Sequence, residues 1–276
     1  MMSSRELPCA DLPDAAGLPF AVPGAERQPD DAFGPLLTLV VGQARQSFRW
    51  IPPGHFLMGS PVDEAERGSA ELLHEVRLSH GFWLADSACT QALWMAVWPV
   101  NPSHFADDPD NPVENVAWHD AQRFIGELNR RLPGVRARLP TEAEWEYACR
   151  AGTATPFSFG TTVSIDQVNY HGGFPYPGGD VGPCRRRPLP VASLPANPWG
   201  LYEMHGNVWE WCEDWYADYP QEPQVDPRGP PVGKMRVLRG GTWSDPARYA
   251  RSATRSRIEP AYRPRSTGFR LLLGPP

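Results

Sequence analysis

The chain has 276 residues and a formal net charge of −6, so it offers no global electrostatic case for binding nucleic acid. Hydrophobic residues make up 41% and charged residues 21%, which is ordinary for a globular protein that builds a core without disulfide staples. The 33 Pro, 25 Gly and 11 Trp predict an ordered, loop-rich fold whose irregular segments are held by large rings.

Residues 1–32 are rich in Pro, Ala and Asp without periodicity, and this composition predicts a poorly ordered leader. They lack the positive start and unbroken apolar run of a secretory signal. No apolar run elsewhere is long enough to span a bilayer. Five widely spaced cysteines without a C-x-x-C pair argue against a disulfide framework or a Cys-rich zinc site. We therefore expect a cytoplasmic protein without membrane contact, with a single domain over 33–276.

Alternating and apolar runs predict short strands along the chain. They fall at 36–41, 48–51, 55–58, 76–84, 236–239 and 269–273. The residues between 153 and 235 are punctuated by Gly, Pro and Asn, apart from 206–215, so loops are expected there.

Three helices are predicted. Thr90 can cap a short one that runs through Trp98, and an apolar stripe at helical spacing indicates a second one that begins near Trp118 and ends near Leu132. The third begins at residues 141–144 (TEAE), a capping box in which the side chains of the first and last residues satisfy each other's backbone amides. It should stop before Gly152.

Several segments line up as one signature. They are, in chain order, 50–60 (WIPPGHFLMGS), 112–118 (PVENVAW), 138–146 (RLPTEAEWE), 200–211 (GLYEMHGNVWEW), 239–243 (RGGTW) and 268–270 (GFR). Together they resemble the family of the formylglycine-generating enzymes, also called sulfatase-modifying factors. The resemblance covers roughly residues 48–273.

The resemblance implies an α+β, C-type-lectin-like fold: a small twisted mixed sheet, flanking helices and extensive loops. Fold alone does not settle function. The family includes copper-dependent oxidases that make formylglycine, domains joined to iron-dependent sulfoxide synthases, pigment-tailoring oxidases and variable binding proteins of retroelements.

In the formylglycine-generating members, two cysteines five positions apart bind copper(I) after the Gly-Gly-Ser-Trp segment. The matching positions here are Asp245 and Ala250. Copper(I) prefers soft thiolates, and neither side chain can form a disulfide. We therefore expect no formylglycine synthesis and no copper. Cys212, within the Trp-Glu-Trp segment, is expected to pack in the core.

Calcium is the metal that the resemblance favours, since the family binds a structural ion in the segment matching 203–210. The implied ligands are the carbonyls of Glu203, Gly206 and Val208 and the carboxylate of Glu210, and oxygen ligands of this kind suit calcium. The alternative is a salt bridge between Glu210 and an arginine. A second, weaker family site would begin at Asn169 and Tyr170, but its later acidic ligands are missing here.

Iron stays open as another metal. A non-haem site needs two His and one carboxylate, and no H-x-D or H-x-E step occurs, but a triad assembled from distant positions remains an alternative. His205 is expected to make a structural hydrogen bond instead.

The loop 244–267 is the remaining candidate, since the family lines its ligand groove with this segment and Arg and Tyr suit binding surfaces. The residues expected to contact a ligand are Trp243, Ser244, Asp245, Arg248, Tyr249 and Arg263. Trp243 is expected to pack beneath the loop. Arg251 and Arg255, by contrast, could pair internally with carboxylates such as Asp214 or Glu259.

The sequence thus leaves two classes of function. The favoured one is a non-catalytic module that binds a peptide, a protein or a small anionic ligand in the C-terminal groove. The alternative is a metal-dependent oxidase, with non-haem iron or a related metal, that acts on a peptide-like substrate.

Overall fold

The computed structural model describes residues 20–274. Its helices are α1 (Gln91–Val97), α2 (Trp118–Arg131) and α3 (Glu142–Arg150), with a 3-10 turn at Ala247–Ala250. The strands are β1 (Ala25–Asp31), β2 (Gly34–Val41), β3 (Ala44–Ile51), β4 (Gly54–Met58), β5 (His74–Leu78), β6 (Phe82–Ala85), β7 (Ala137–Arg138), β8 (Trp209–Trp215), β9 (Gln224–Val225), β10 (Arg236–Arg239), β11 (Ser256–Ile258), β12 (Thr267–Gly268) and β13 (Leu272–Leu273).

These strands form three sheets. A six-stranded antiparallel sheet has the order β1-β2-β3-β6-β13-β7, and a four-stranded sheet has the order β11-β10-β8-β12 with β12 parallel to β8. The third sheet has the order β4-β5-β9. Few helices, three sheets and long loops confirm the predicted α+β class.

The prediction of a poorly ordered leader over 1–32 is wrong for its second part, while residues 1–19 lie outside the described residues. β1 pairs with β2 from Ala25 opposite Leu39 to Asp31 opposite Gly34. Val22 is buried in the main core, and Trp83 Nε1 donates to the Phe20 carbonyl. Antiparallel pairing with β2 across the turn at 32–33, together with the remote contact to Trp83, orders this polar segment.

The single strand predicted over 76–84 is also wrong, because it is two strands in different sheets. β5 pairs with β4, whereas β6 pairs with β3. Between them Gly81 lies against the Trp50 ring so closely that a Cβ there would be 2.2 Å from it. The chain therefore crosses from one sheet to the other at a residue that only glycine fits. The C-terminal strand is shorter than predicted, at Leu272–Leu273.

The three predicted helices are confirmed at their ends. Thr90 Oγ1 accepts from Leu93 N, which caps α1. Thr141 Oγ1 accepts from Glu144 N at 3.2 Å while Glu144 Oε2 accepts from Thr141 N at 2.8 Å, which is the capping box. The helix that it starts ends at Arg150, and the next residue, Ala151, has the left-handed backbone conformation.

Three apolar clusters form the core. The first lies between the six-stranded sheet and α1 with α2, the second packs α3 and its Trp145 against the other face, and the third lies under the 3-10 turn. Across residues 20–274, no helix is long and apolar enough to cross a membrane. The second and third clusters carry the loop that contains the candidate site.

Candidate functional site

Residues 242–245 form a turn that we call the Thr242–Asp245 turn. Two glycines precede it with positive φ, 100° at Gly240 and 78° at Gly241, a region that favours glycine. A Cβ on Gly241 would lie 2.8 Å from the Tyr249 carbonyl oxygen. The Gly-Gly pair therefore lets the chain reverse directly under the 3-10 turn.

Asn207 anchors this turn from below. Its carbonyl accepts from Trp243 N at 3.1 Å, and its buried side chain bonds both the N–H and the C=O of Leu189. Its Oδ1 also accepts from the Asn169 amide at 3.0 Å. One side chain thus holds three loops that are far apart in sequence.

Asp245 is half-buried within the turn. Its Oδ2 accepts from Thr242 Oγ1 at 3.1 Å, and its carbonyl accepts from His171 N at 2.8 Å. Burial raises the pKa of Asp245 above its ordinary value, although bonds from Thr242 and the Trp209 side chain lower it. Neighbouring Ser244 is exposed.

Trp243 is only partly beneath the loop, since its ring is half-buried and meets the Phe105 ring edge-on at 5.7 Å between centroids. The indole Nε1 is buried and has no hydrogen-bond partner. The Arg187 guanidinium lies over the other aromatic ring at 5.7 Å and bonds Asp107. The turn is therefore bordered by an aromatic pair and an arginine.

Glu114 lies buried next to this aromatic pair. Its Oε1 accepts from the backbone amides of His104 and Phe105, while its Oε2 is buried without a partner. Burial raises the pKa of Glu114. A second polar atom without a partner thus lies near the turn.

The structure places the other predicted ligand residues apart from the turn. Arg248 is exposed, contacts Glu66 at 3.4 Å and lies over the ring of Tyr249, which is 36% exposed. Arg263 is exposed but bonds Asp120 through two contacts of 2.6 and 2.8 Å. Among the contacts of residues 20–274, none joins Arg263 to Trp243 or Tyr249.

Buried ion pairs hold the rest of the loop. Arg251 bonds Glu64 and Glu71, and Arg255 bonds Glu142 through two contacts. The predicted internal pairing of these arginines is confirmed, but their partners are not Asp214 or Glu259. The carboxylates come from the β4–β5 loop and the start of α3, which the sequence does not place beside them.

Glu210 forms a buried salt bridge, the alternative to calcium binding that the sequence left open. Arg270 donates to both of its carboxylate oxygens at 2.7 Å, and Trp145 Nε1 donates to Oε2 at 2.7 Å. All three side chains are fully buried. The Glu210 carboxylate is therefore already paired with a guanidinium, as the salt-bridge alternative predicts.

The other residues of that segment are buried as well. The Glu203 carboxylate accepts from the backbone amides of Ala192 and Leu194, and burial raises its pKa to about 7. Gly206 donates its N–H to the Gly240 carbonyl, and Val208 packs in the interior. This segment therefore supports the candidate turn through the Gly206 N–H.

Asn169 offers a better fit to a cation. It is fully buried, its amide nitrogen donates to Asn207 and to the Arg187 carbonyl, and its Oδ1 has no partner. Tyr170 follows it, also buried, with a hydroxyl that lacks a partner. An orphaned buried carbonyl oxygen is the kind of atom that a structural calcium ion would bind.

Within the described ranges, no group of three or more His, Cys, Asp or Glu side chains is placed to hold a metal. His205 makes the expected structural bond, with Nδ1 2.7 Å from the Ala250 carbonyl and Nε2 2.9 Å from Ser158 Oγ. Burial raises the pKa of Cys149 to about 12 and also raises the pKa of Cys212 well above its ordinary value, so these thiols are inert. Core packing of Cys212 is confirmed.

Sequence reasoning missed four residues that build the site. Phe105, Arg187 and Trp209 border the turn, and Asn207 anchors it. Asn207 and Trp209 lie in the 200–211 motif, so that signal was available. The other two lie in loops without local periodicity.

The profile of the sulfatase-modifying factor enzyme 1-like domain matches residues 40–274. The formylglycine-generating enzyme of Streptomyces coelicolor is 35% identical over 230 residues, 76% of this chain and 70% of that enzyme. The bovine formylglycine-generating enzyme is 37% identical over 172 residues, and this match covers 59% of the chain but only 44% of that enzyme's length.

Among solved structures, Treponema denticola variable protein 1 superposes with a TM-score of 0.75 at 29% identity, covering 87% of this chain and 99% of that protein. Similarity of this extent thus links the chain both to proteins named as enzymes and to one named as a variable protein.

Proposed function

We propose that this chain, which belongs to the sulfatase-modifying factor family, is a binding module that takes a peptide or protein segment at the Thr242–Asp245 turn. The observation that carries the proposal is the buried indole Nε1 of Trp243, which has no partner and lies at the edge of the turn. A ligand carbonyl would supply the missing acceptor.

Chemistry at the turn supports binding rather than cysteine oxidation. Asp245 and Ala250 stand where we place the family's copper-binding cysteines. Asp245 offers a hard oxygen that is already bonded by Thr242. Copper(I) selects thiolates, which these two side chains cannot supply.

The turn also presents the groups that peptide recognition uses. A buried donor without an acceptor costs about 1–3 kcal/mol, which a ligand carbonyl would recover. Beside the Trp243 donor lie the exposed Ser244 hydroxyl and the Phe105 ring. Aromatic and arginine side chains of this kind are enriched where proteins bind each other.

Restoring the two cysteines tests the assignment of positions. The double variant Asp245→Cys with Ala250→Cys should bind one copper(I) ion tightly in competition with a chromogenic chelator, while wild type and each single variant should not. Wild type should form no formylglycine from a sulfatase-type peptide, as followed by mass spectrometry. Formylglycine from wild type would overturn the proposal.

A phage-displayed library of random peptides tests the binding role. Peptides enriched on the wild type should lose at least about tenfold in affinity on Trp243→Ala, as for a buried aromatic hot spot. Trp98→Ala is the matched control, since Trp98 is 40% exposed at the C-terminal end of α1 and the substitution should leave affinity unchanged. No enrichment, or equal binding to both variants, would refute the proposal.

Calcium remains part of the proposal only at Asn169. The residue that would hold the ion is Asn169 through its orphaned Oδ1, and the bound ion would stabilise the loops that meet at Asn207. Asn169→Ala should then remove any loss of thermal stability that a chelator causes in the wild type. Chelator sensitivity that persists in the variant would place the ion elsewhere.

A further inference from the structure

A cavity of about 310 Å³ lies between the start of α3, the end of β8 and the loop 217–230. We call it the Asp214 cavity, and it shares no lining residue with the Thr242–Asp245 turn. We propose that it binds a small organic cation with a primary ammonium group and an apolar body, with Asp214 as the charge partner. This inference is independent of the proposed peptide site.

Asp214 is a buried carboxyl group without a cation beside it. The residue is 5% exposed, and its Oδ2 accepts from Glu142 N at 2.8 Å. Its Oδ1 has no hydrogen-bond partner among residues 20–274, and no Arg, Lys or His nitrogen lies within salt-bridge distance of it there. Glu146 and Glu210, by contrast, are fully buried and ion-paired.

Of the two arginines that line the cavity, Arg255, whose side chain is buried, is already neutralised, whereas Arg228 is exposed to solvent. Arg255 Nε and Nη2 donate to the two oxygens of Glu142 at 2.6 and 2.8 Å. Its Nη1 and Nη2 also donate to the carbonyls of Ala70 and Ala217. Among the buried acidic side chains that line the cavity, the one left without a charged partner is therefore Asp214.

Two other buried carboxyl groups without an ion pair do not line this cavity. Glu114 and Glu203 each accept two backbone amides instead. Asp214 differs because it accepts one backbone amide and lines the cavity. An unpaired carboxylate that lines a cavity is a site for a cation.

The charges around Asp214 favour the same ligand. Three nearby carboxylates and burial raise the pKa of Asp214 to about 8, and Arg138 is occupied by Glu144. The charged and titratable groups around Asp214 and its cavity are Glu142, Glu144, Glu213, Arg138, Arg236, Arg255, His74, Asp218 and Arg228. A bound ammonium group would relieve this repulsion, and the Asp214 proton would pass to the buffer.

Apolar side chains complete the walls. Met58, Pro220 and Pro230 line the cavity together with Tyr219. They suit an alkyl body, and the volume lies at the small end of ligand sites. Pentan-1-amine therefore serves as the probe, and pentan-1-ol, which lacks the charge, is its matched neutral control.

Isothermal titration of the full chain tests the inference. Pentan-1-amine should bind the wild type with proton release, seen as heat that depends on the buffer's ionisation enthalpy. Below pH 8 its affinity should rise about tenfold per pH unit and then level off. Pentan-1-ol should bind at least tenfold more weakly, as expected where charge pairing carries affinity.

Asp214→Asn should lower the affinity for pentan-1-amine by at least about tenfold and abolish proton release. Asp218→Asn, which changes an exposed residue of the same cavity, should alter neither the affinity nor the proton release. Ala217→Leu adds volume at the wall and should also weaken binding, which protects the test if Asp214→Asn folds poorly. Equal binding of amine and alcohol, retention in Asp214→Asn, or no binding up to about 10 mM would overturn the inference.

Discussion

Replacing Glu210 with Gln tests whether this carboxylate is the counter-ion of Arg270 or a calcium ligand. The substitution keeps an acceptor for Trp145 but leaves a fully buried guanidinium without its bonded carboxylate. Breaking one side of a buried pair costs about 3–5 kcal/mol. We expect the lower end, about 3 kcal/mol, because Asp86 and Glu203 also favour the charged arginine. That corresponds to roughly 6–12 °C in Tm.

Urea and thermal unfolding in calcium-free buffer, each with and without chelator, measure this loss. Glu127→Gln is the control, since that carboxylate pairs with Arg130 and Arg131 on the surface and should leave stability nearly unchanged. Chelator should shift wild type and Glu210→Gln equally. If Glu210→Gln lost less than about 1 kcal/mol of unfolding free energy and were no longer sensitive to chelator, the salt-bridge reasoning would be refuted. Glu210 would then be a calcium ligand.

Three further predictions follow from burial and charge. Val22→Ala should cost about 2 kcal/mol because two methyl groups leave the core, whereas Val62→Ala, at a 90% exposed residue, should cost almost nothing in urea unfolding; equal effects would mean that residues before β1 do not pack. Arg251→Ala should cost about 3–5 kcal/mol and Arg263→Ala under about 1 kcal/mol, since only the first pair is buried; the reverse order would contradict the ion-pair argument. In ligand-free protein, the folded-state pKa of Asp214 near 8 exceeds the ordinary 3.8, so its neutral form stabilises below about pH 4 and that stability is lost as pH rises towards 8. Asp214→Asn should remove this decline in pH-dependent melting curves, and a variant that declines like wild type would show that another group titrates.

Local signals in the sequence predicted much of the secondary structure. The capping box at Thr141 and the cap at Thr90 involve residues three positions apart, so their geometry follows from short-range contacts. The family motifs predicted the α+β class. Each motif is a continuous run of residues, so it can be recognised without knowledge of the tertiary structure.

Segments without such local signals were predicted wrongly. The stretch 20–32 looks disordered by composition, yet β1 forms because β2 offers it a partner strand. The run 76–84 reads as one strand, and its division at Gly81 is set by the Trp50 ring from another strand. For 76–84 the deciding contact is remote in the chain, whereas β1 pairs with the adjacent strand β2 and its preceding residues are held by the remote Trp83.

The candidate site shows the same division. Asp245, Trp243 and the Gly-Gly turn could be located from the sequence, because they lie within one motif. The charge pairs could not be predicted from the sequence. Arg251 bonds Glu71, which lies 180 positions away, and Arg263 bonds Asp120. The pairing of a charged side chain depends on which carboxylates the fold brings within about 4 Å, and an arginine has the same charge and reach whether it faces solvent or a buried glutamate. The sequence therefore determined which groups exist and where the chain turns, and only the tertiary structure decided which of them remain available to a ligand.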